Sequence, residues 1–547
     1  PRSAAVYWRF DNFCAFIMLG IGFFGALISL YSLKFFSEEF NFKEFSIYSL
    51  WSLGAAAGVS LANDFIFFTV FWGFIGLTLY LLVNLLPRAS SSAKKMFVLV
   101  GGTDVLLILG IALISFQRGN WSISGATLPM NAFSITAFLC LALAAFAKVG
   151  VVPVHTWVPD VTENAAVPVT ALLPASLDKL LGIYFLVRII TVIFVPSAFI
   201  TDFLMIVGAL TIIVGVMMIL VQNNIKRFLG YNTISQVGYM IVGIGTGNLL
   251  GVVGGLFHML NHTLYESALF LSAGSIEKKT GTSDLRDLGG LARVLPLTFA
   301  TTIVASMAIS GIPPLNGFVS KWLIYQGLIQ EFNLTHSVIA LIALLAALFG
   351  SAVTLAGVMK LLSAAFLTSP KKPLEGIKEV SWLLWLPMLI LAFLCVVFGI
   401  FVFQIPIPHL IANSIAFNVA PYLGSIGFWQ PGLATALILA GLAAGFIVYL
   451  FFIRTHAVRR DTAFVGGEKI PAETYPSGTD FYKTISNIGL FKALYEAAQK
   501  KLFDLYDLSA SALSAAGRYL SGLHNGILSE YLAWCIIGFI IVFLFLL

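Results

Sequence analysis

Apolar runs long enough to cross a bilayer recur from Phe13 to the C-terminus, and they leave this chain few possible folds. Hydrocarbon offers no water to satisfy exposed backbone amides, so only helices and closed barrels can span it. The runs reach the ~20 residues of a spanning helix, about twice the length of a barrel strand. The reading is an all-α polytopic membrane protein. Composition agrees, with 59% hydrophobic and only 10% charged residues and a mean hydropathy of +0.96. The net charge of +6 says less than the placement of the basic residues. They lie in separate short loops and form no continuous patch, which argues against nucleic acid as a partner.

Spans are expected near 13–33, 45–62, 64–86, 95–117, 131–152, 165–194, 199–221, 228–247 and 249–274. Others follow near 296–331, 336–366, 382–404, 430–453 and 527–547, about fourteen transmembrane helices in all. Alternation then gathers Arg88, Lys94, Lys95, Lys226, Arg227, Lys278, Lys279, Arg286 and Arg293 on one side. Lys371, Lys372, Lys378, Arg454, Arg459 and Arg460 fall there too, leaving little beyond Arg118 and Arg188 opposite. Positive residues mark the cytoplasmic side, so a multi-pass protein of a prokaryotic cell membrane is expected.

Some segments depart from plain spans. Gly311-Ile312-Pro313-Pro314 and Gly317 must interrupt the helix of 296–331. Residues 454–487 are polar and read as a cytoplasmic loop. From about 488 to 525 Phe491, Tyr495, Ala498, Leu502 and Leu505 recur at helical spacing, with Lys492, Gln499, Lys500 and Asp504 on other faces. That pattern suits a lateral amphipathic helix on the membrane surface, or a helix of a small soluble domain. The expected organisation is an N-terminal span (1–44), two five-helix repeats (45–194 and 199–366), two further spans (367–453), a loop with the lateral helix (454–525) and a terminal span (526–547). Cys14, Cys140, Cys395 and Cys535 are scattered through apolar runs, without metal or cluster spacing, and no phosphate-binding glycine loop occurs. No cofactor and no metal are expected. The chain begins at Pro1 without methionine, and Asp11 interrupts any signal-peptide pattern, so an incomplete or processed end is expected.

Lysines set into these spans carry the functional argument. An ionised lysine at a helix centre costs about 2.5–3.5 kcal/mol on insertion scales, so several in one chain point to moving charge. Because each repeat holds an odd number of spans, the second inserts upside down, an inverted arrangement found in transporters. The fourth spans carry Lys148 and Lys321, beside Pro153 and the Gly311–Pro314 break. The fifth carry Lys179, with Asp178 adjacent, and Lys360. The third carry Asp104 in one unit and His258, His262 and Glu266, one helical stripe, in the other. Desolvated lysine and histidine exchange protons near neutrality, and broken helices free carbonyls for water or a cation. Other readings stay open: Lys148 and Lys360 could snorkel, Lys321 could sit at the external surface, and Asp104, His258 and His262 could be satisfied interior groups.

The segments KVGVVPVHTWVPDVTENAAVPVTALLPASLDKLLGIY at 148–184, KRFLGYNTISQVGYM at 226–240, FHMLNHTLYESALFLSAG at 257–274 and SGIPPLNGFVSKW at 310–322 resemble one family. It is that of the antiporter-like subunits shared by respiratory complex I (NADH:quinone oxidoreductase), Mrp-type cation/proton antiporters and membrane-bound hydrogenases. The resemblance covers roughly 10–367, and the 454–547 tail is similar to members that add a lateral helix and a terminal span. It implies that Lys148, Lys179, Lys321, His258 and His262 occupy positions of the family's ion pathway, with weaker support for Lys360. It also marks departures. Members usually begin with two more spans, carry a glutamate after the tryptophan that matches Trp72, where Gly73 stands, and have lysine where Glu266 stands.

The expected function is an ion-translocating subunit, for protons and/or sodium, of a multisubunit respiratory or hydrogenase-type membrane complex. Its partners would be other membrane-arm subunits, the lipid bilayer and H+ or Na+, and it would carry no redox catalysis of its own. The alternative is a non-conducting scaffold paralogue whose lateral helix clamps neighbouring subunits. A stand-alone membrane enzyme using His155 and Asp160 is a third reading, unsupported by any accompanying nucleophile or metal-ligand set.

Overall fold

The helices begin where a side chain can receive the first free amides. Asp11 accepts from the Cys14 amide ahead of α1 (Asn12–Phe35), and Asp64 from Ile66 and Phe67 ahead of α3 (Phe65–Val83). Asn131 does the same for α5 (Ala132–Val149), Ser197 for α9 (Ala198–Val221), Asn224 for α10 (Ile225–Gly245) and Asn248 for α11 (Leu249–Thr280). Each cap contributes about 1 kcal/mol and satisfies donors that lipid could not. This computed structural model describes residues 7–36, 41–415, 430–454, 478–524 and 526–546, and most of the polar 454–487 segment, with Arg459 and Arg460, lies outside them.

Two compact units result, Pro1–Ile485 and Ser486–Leu547. In the first, α2 (Phe42–Leu61), α4 (Ser90–Arg118), α6 (Trp157–Asn164), α7 (Val167–Leu172) and α8 (Asp178–Arg188) complete the N-terminal half. Then come α12 (Pro296–Ser310), α13 (Asn316–Thr335), α14 (Val338–Leu362) and α15 (Trp382–Ile400). A π-helical turn, Leu173–Leu177, joins α7 to α8. Among the described residues β contacts are isolated bridges, such as Trp8 with Ala62.

Among the described residues nine helices are long and apolar enough to cross a membrane. Several others expected to span carry the polar groups of the interior. Every residue of α8 is buried, as are α10 from Phe228 onward and α11 from Val253 to Ile276. Outer helices shield them, so hydropathy alone undercounts the helices that hold the buried polar groups.

Two breaks share one design. α5 stops at Gly150 and α12 at Gly311, both in the left-handed region with φ of 83° and 81°. A Cβ at Gly150 would also approach Val158 Cγ2 to 2.6 Å, so glycine is required on both counts. Proline follows each at the same spacing, Pro153 and Pro314.

In the second unit the single amphipathic helix expected over about 488–525 is instead two, Gly489–Gln499 and Leu505–Leu523. Asp504 divides them, because its side chain accepts from the Tyr506 amide and starts a new helix. The apolar helix Leu528–Leu546 follows.

Candidate functional site: a buried row of charged side chains

The row begins on α5. Lys148 is fully buried; its ammonium lies 4.9 Å from the centre of the Trp72 ring and donates to the Trp72 carbonyl oxygen at 3.4 Å. The Trp72 indole Nε1 donates to Asp104 Oδ1 at 3.0 Å. A Cβ on Gly76 would stand 3.8 Å from Asp104 Oδ2 and 3.9 Å from Lys148 Nζ, so the two charges flank the bare face of that glycine. Gly73, where the family resemblance would place a glutamate, lies on the exposed face of α3 with nothing within 4 Å of a Cβ. The carboxyl group beside Lys148 is that of Asp104, from the next helix.

Lys179 on α8 donates to the Val149 carbonyl at 2.6 Å, an oxygen exposed by the end of α5. Its neighbour Asp178 is wholly buried, and neither carboxylate oxygen has a hydrogen-bond partner among the described residues. Such groups in a native interior need a charge, a proton or water to be tolerated. Thr233 Oγ1 donates to Glu266 Oε1 at 2.7 Å, and Oε2 is unpartnered among the described residues, as are both ring nitrogens of His262. His258 is held by Ser320 Oγ at 2.9 Å and Gln236 Oε1 at 3.2 Å.

At the second break Lys321 donates to the Ile309 carbonyl at 2.8 Å and lies 4.7 Å from the centre of the Tyr239 ring. It is 2% exposed, which removes the reading of a surface lysine. Asn316 and Asn261 brace this break reciprocally, Asn261 Nδ2 to the Asn316 carbonyl at 3.0 Å and Asn316 Nδ2 to Asn261 Oδ1 at 2.9 Å.

Lys148 and Asp104 thus meet at the bare face of Gly76, Asp178 and Lys179 adjoin at the start of α8, and His258, His262 and Glu266 lie along one buried stripe of α11. Lys360 stands apart. It is buried, and its ammonium donates to the carbonyls of Leu220 and Gln222 at 2.9 and 2.7 Å. Those are the contacts of a cap on the C-terminal end of α9. Asp160, paired with His155 in the enzyme reading, is ion-paired to Lys95 at 2.7 Å and Arg227 at 2.9 Å.

Sequence reasoning missed the rings of Trp72 and Tyr239, and Thr233, Gln236 and Ser320 around the row. An aromatic residue in an apolar span carries no signal of the lysine it faces; Gln236 in a buried stretch was the one visible clue.

A family profile described as "NADH:quinone oxidoreductase/Mrp antiporter, TM" matches residues 62–350, taking in the row from Trp72 to Lys321 but not Lys360. Among curated relatives, the Na(+)/H(+) antiporter subunit A1 of Staphylococcus epidermidis is 28% identical over 71% of this chain and 51% of its own length. NADH-ubiquinone oxidoreductase chain 5 of Aspergillus niger is 30% identical over 73% of this chain and 61% of its own. The chain thus spans about half the length of the antiporter subunit it matches. Among solved structures, the Mrp complex from Dietzia sp. DQ12-45-1b shares the fold with a TM-score of 0.67 and 21% identity, covering 76% of this chain and 86% of that one. A chain of the membrane-bound sulfane sulfur reductase, an archaeal respiratory membrane complex, aligns with a TM-score of 0.76 and 25% identity over 97% of this chain and 88% of its own.

Proposed function

This chain belongs to the NADH:quinone oxidoreductase/Mrp antiporter transmembrane family, and from that premise we propose that it is an ion-translocating subunit of a multisubunit membrane complex. Protons and/or sodium ions would move along Asp104, Lys148, Asp178, Lys179, Glu266, His262, His258 and Lys321. The observation that carries this reading is the placement of two lysines. Lys179 and Lys321, both buried, rest on main-chain oxygens at the two helix breaks, Val149 and Ile309. The accepting carbonyl is neutral whether or not the lysine carries its proton, so this contact is not itself an ion pair that deprotonation would break.

The matching breaks at Gly150 and Gly311 support two inverted five-helix repeats, 45–194 and 199–366, within about fourteen spans. Residues 1–44 and 367–453 would add flanking spans, 454–525 the cytoplasmic loop and lateral segment, and 526–547 the terminal span. Partners would be the other membrane subunits of a respiratory or hydrogenase-type complex in a prokaryotic cell membrane, with the basic loops cytoplasmic. The relatives' names, antiporter subunit and oxidoreductase chain, support that setting. Lys360 is assigned to holding the end of α9 and takes no step in transfer.

Flux into vesicles reconstituted with the parent complex, with sodium present and absent, tests the reading. Ion uptake coupled to turnover is expected; turnover with no uptake of either ion would favour the scaffold role.

A further inference from the structure

We propose that Trp72 and Tyr239 are positioning residues that hold the protonated forms of Lys148 and Lys321 on neutral aromatic faces, one platform in each half of the chain. The proposal rests on the ion-relay reading above. The geometry recurs. Lys148 Nζ is 4.9 Å from the Trp72 ring centre, and Lys321 Nζ is 4.7 Å from that of Tyr239. Both distances lie inside the ~6 Å within which a ring face attracts a cation, most strongly once water is excluded. Trp72 is on α3 and Tyr239 on α10, the second helices of the two five-helix units, and each lysine comes from the fourth.

The polar tip of each ring is hydrogen-bonded, and packing around the ring body keeps the face toward its lysine. Trp72 Nε1 donates to Asp104 at 3.0 Å. The Tyr239 hydroxyl donates to the Ala347 carbonyl at 2.6 Å and is 2.9 Å from Ser351 Oγ, itself 2.6 Å from the Tyr325 hydroxyl. Glycines leave the room: a Cβ on Gly350 would come within 2.7 Å of the Tyr239 hydroxyl. Further rings pack behind, Phe68 and Phe185 at 5.3 and 5.2 Å from Trp72, and His258 at 5.5 Å from Tyr239.

Chemistry explains the choice of a ring. Among the described residues neither lysine makes an ion pair with a carboxylate within 4.0 Å. A contact carboxylate would have to be desolvated with the lysine, and would be stranded as a lone buried charge whenever the lysine gave up its proton. A ring attracts only the ammonium form and stays neutral afterwards. The ring contact itself therefore leaves no new anion behind when either lysine gives up its proton; near Lys148, the Asp104 carboxylate keeps the Trp72 indole as its donor.

Progressive fluorination of the Trp72 indole in the intact complex tests this, because fluorine drains the negative ring face while nearly preserving shape. Vesicle ion uptake should fall stepwise with each added fluorine, to about one-tenth for the tetrafluoro ring, with assembly unchanged. Tyr239→Phe, which keeps the face, should retain most uptake, and Tyr239→Leu should lose about tenfold. Full uptake with the tetrafluoro indole, or equal uptake in Tyr239→Leu and Tyr239→Phe, would overturn the proposal. Lys148→Ala and Lys321→Ala run alongside separate the two ideas. If they transport normally the relay itself fails, whereas if they are inactive and fluorination is silent only the platforms fail.

Discussion

The Lys179 ammonium donates at 2.6 Å to the carbonyl of Val149, the residue just before the left-handed Gly150 that ends α5. One local event, a glycine at φ 83°, both stops the helix and frees the oxygen that receives the lysine. The backbone turn and the lysine contact are therefore a single construction, and changes to the turn should register at the lysine.

Gly150→Ala puts a methyl group 2.6 Å from Val158 Cγ2 in a left-handed conformation. A loss of about 2–3 kcal/mol in stability is expected, together with reduced transport. Gly281→Ala is the control: its φ is 73° but nothing lies within 4 Å of the added methyl. It should cost about 1 kcal/mol and leave transport intact. Denaturation midpoints of the solubilised protein check both, and equal losses would contradict the coupling of turn and site.

Asp104→Asn removes the negative charge beside Lys148 and Trp72 while keeping an acceptor for the indole. Uptake should drop about tenfold, the equivalent of ~1.4 kcal/mol. A glutamate at Gly76, whose Cβ position lies 3.8–3.9 Å from both charges, should restore part of it in the Asp104→Asn background. A glutamate at Gly73 faces outward and should restore nothing. Rescue from position 73 rather than 76 would contradict the geometry.

Lys360→Met should act on stability and not on flux. Removing two charge-assisted bonds to Leu220 and Gln222 costs about 2–3 kcal/mol, while uptake per assembled complex should match wild type. Quantifying assembled complex by native electrophoresis beside uptake separates the two. A flux defect at full assembly would return Lys360 to the pathway.

Asp11, just ahead of the spanning helix α1, ties it to α8 through bonds of 2.7 Å from Arg188, with Arg9 also 2.7 Å away. Burial pushes its carboxyl up, but Arg188 and the Cys14 amide outweigh that and hold it at about 2, below the ordinary 3.8. A group depressed on folding contributes stability above its unfolded value and loses it as pH falls through the folded one. The contribution should therefore fade between about pH 4 and 2. Thermal unfolding across that range should show a shallower acid limb in Asp11→Asn; identical limbs would rule the contribution out.

Much of this was legible before any coordinates. Hydropathy locates the outer helices, and the penalty on buried charge singles out Lys148, Lys179 and Lys321, all now found buried. Glycine and proline chemistry marks both breaks. What eluded the sequence depends on helix rotation. Gly73 and Gly76 differ by less than a turn, yet one faces outward and the other faces Lys148. Tyr239 looks like ordinary apolar filler until Lys321 is placed, and the family resemblance marks Trp72 without saying that it faces Lys148. The cap role of Lys360 depends on where α9 ends, which no local pattern around position 360 encodes.

The most direct test is ion uptake by vesicles carrying the assembled complex with Lys179→Ala or Lys321→Ala. Both should assemble normally and show no coupled uptake above the empty-vesicle background. Wild-type uptake in either variant would contradict transfer through the buried row.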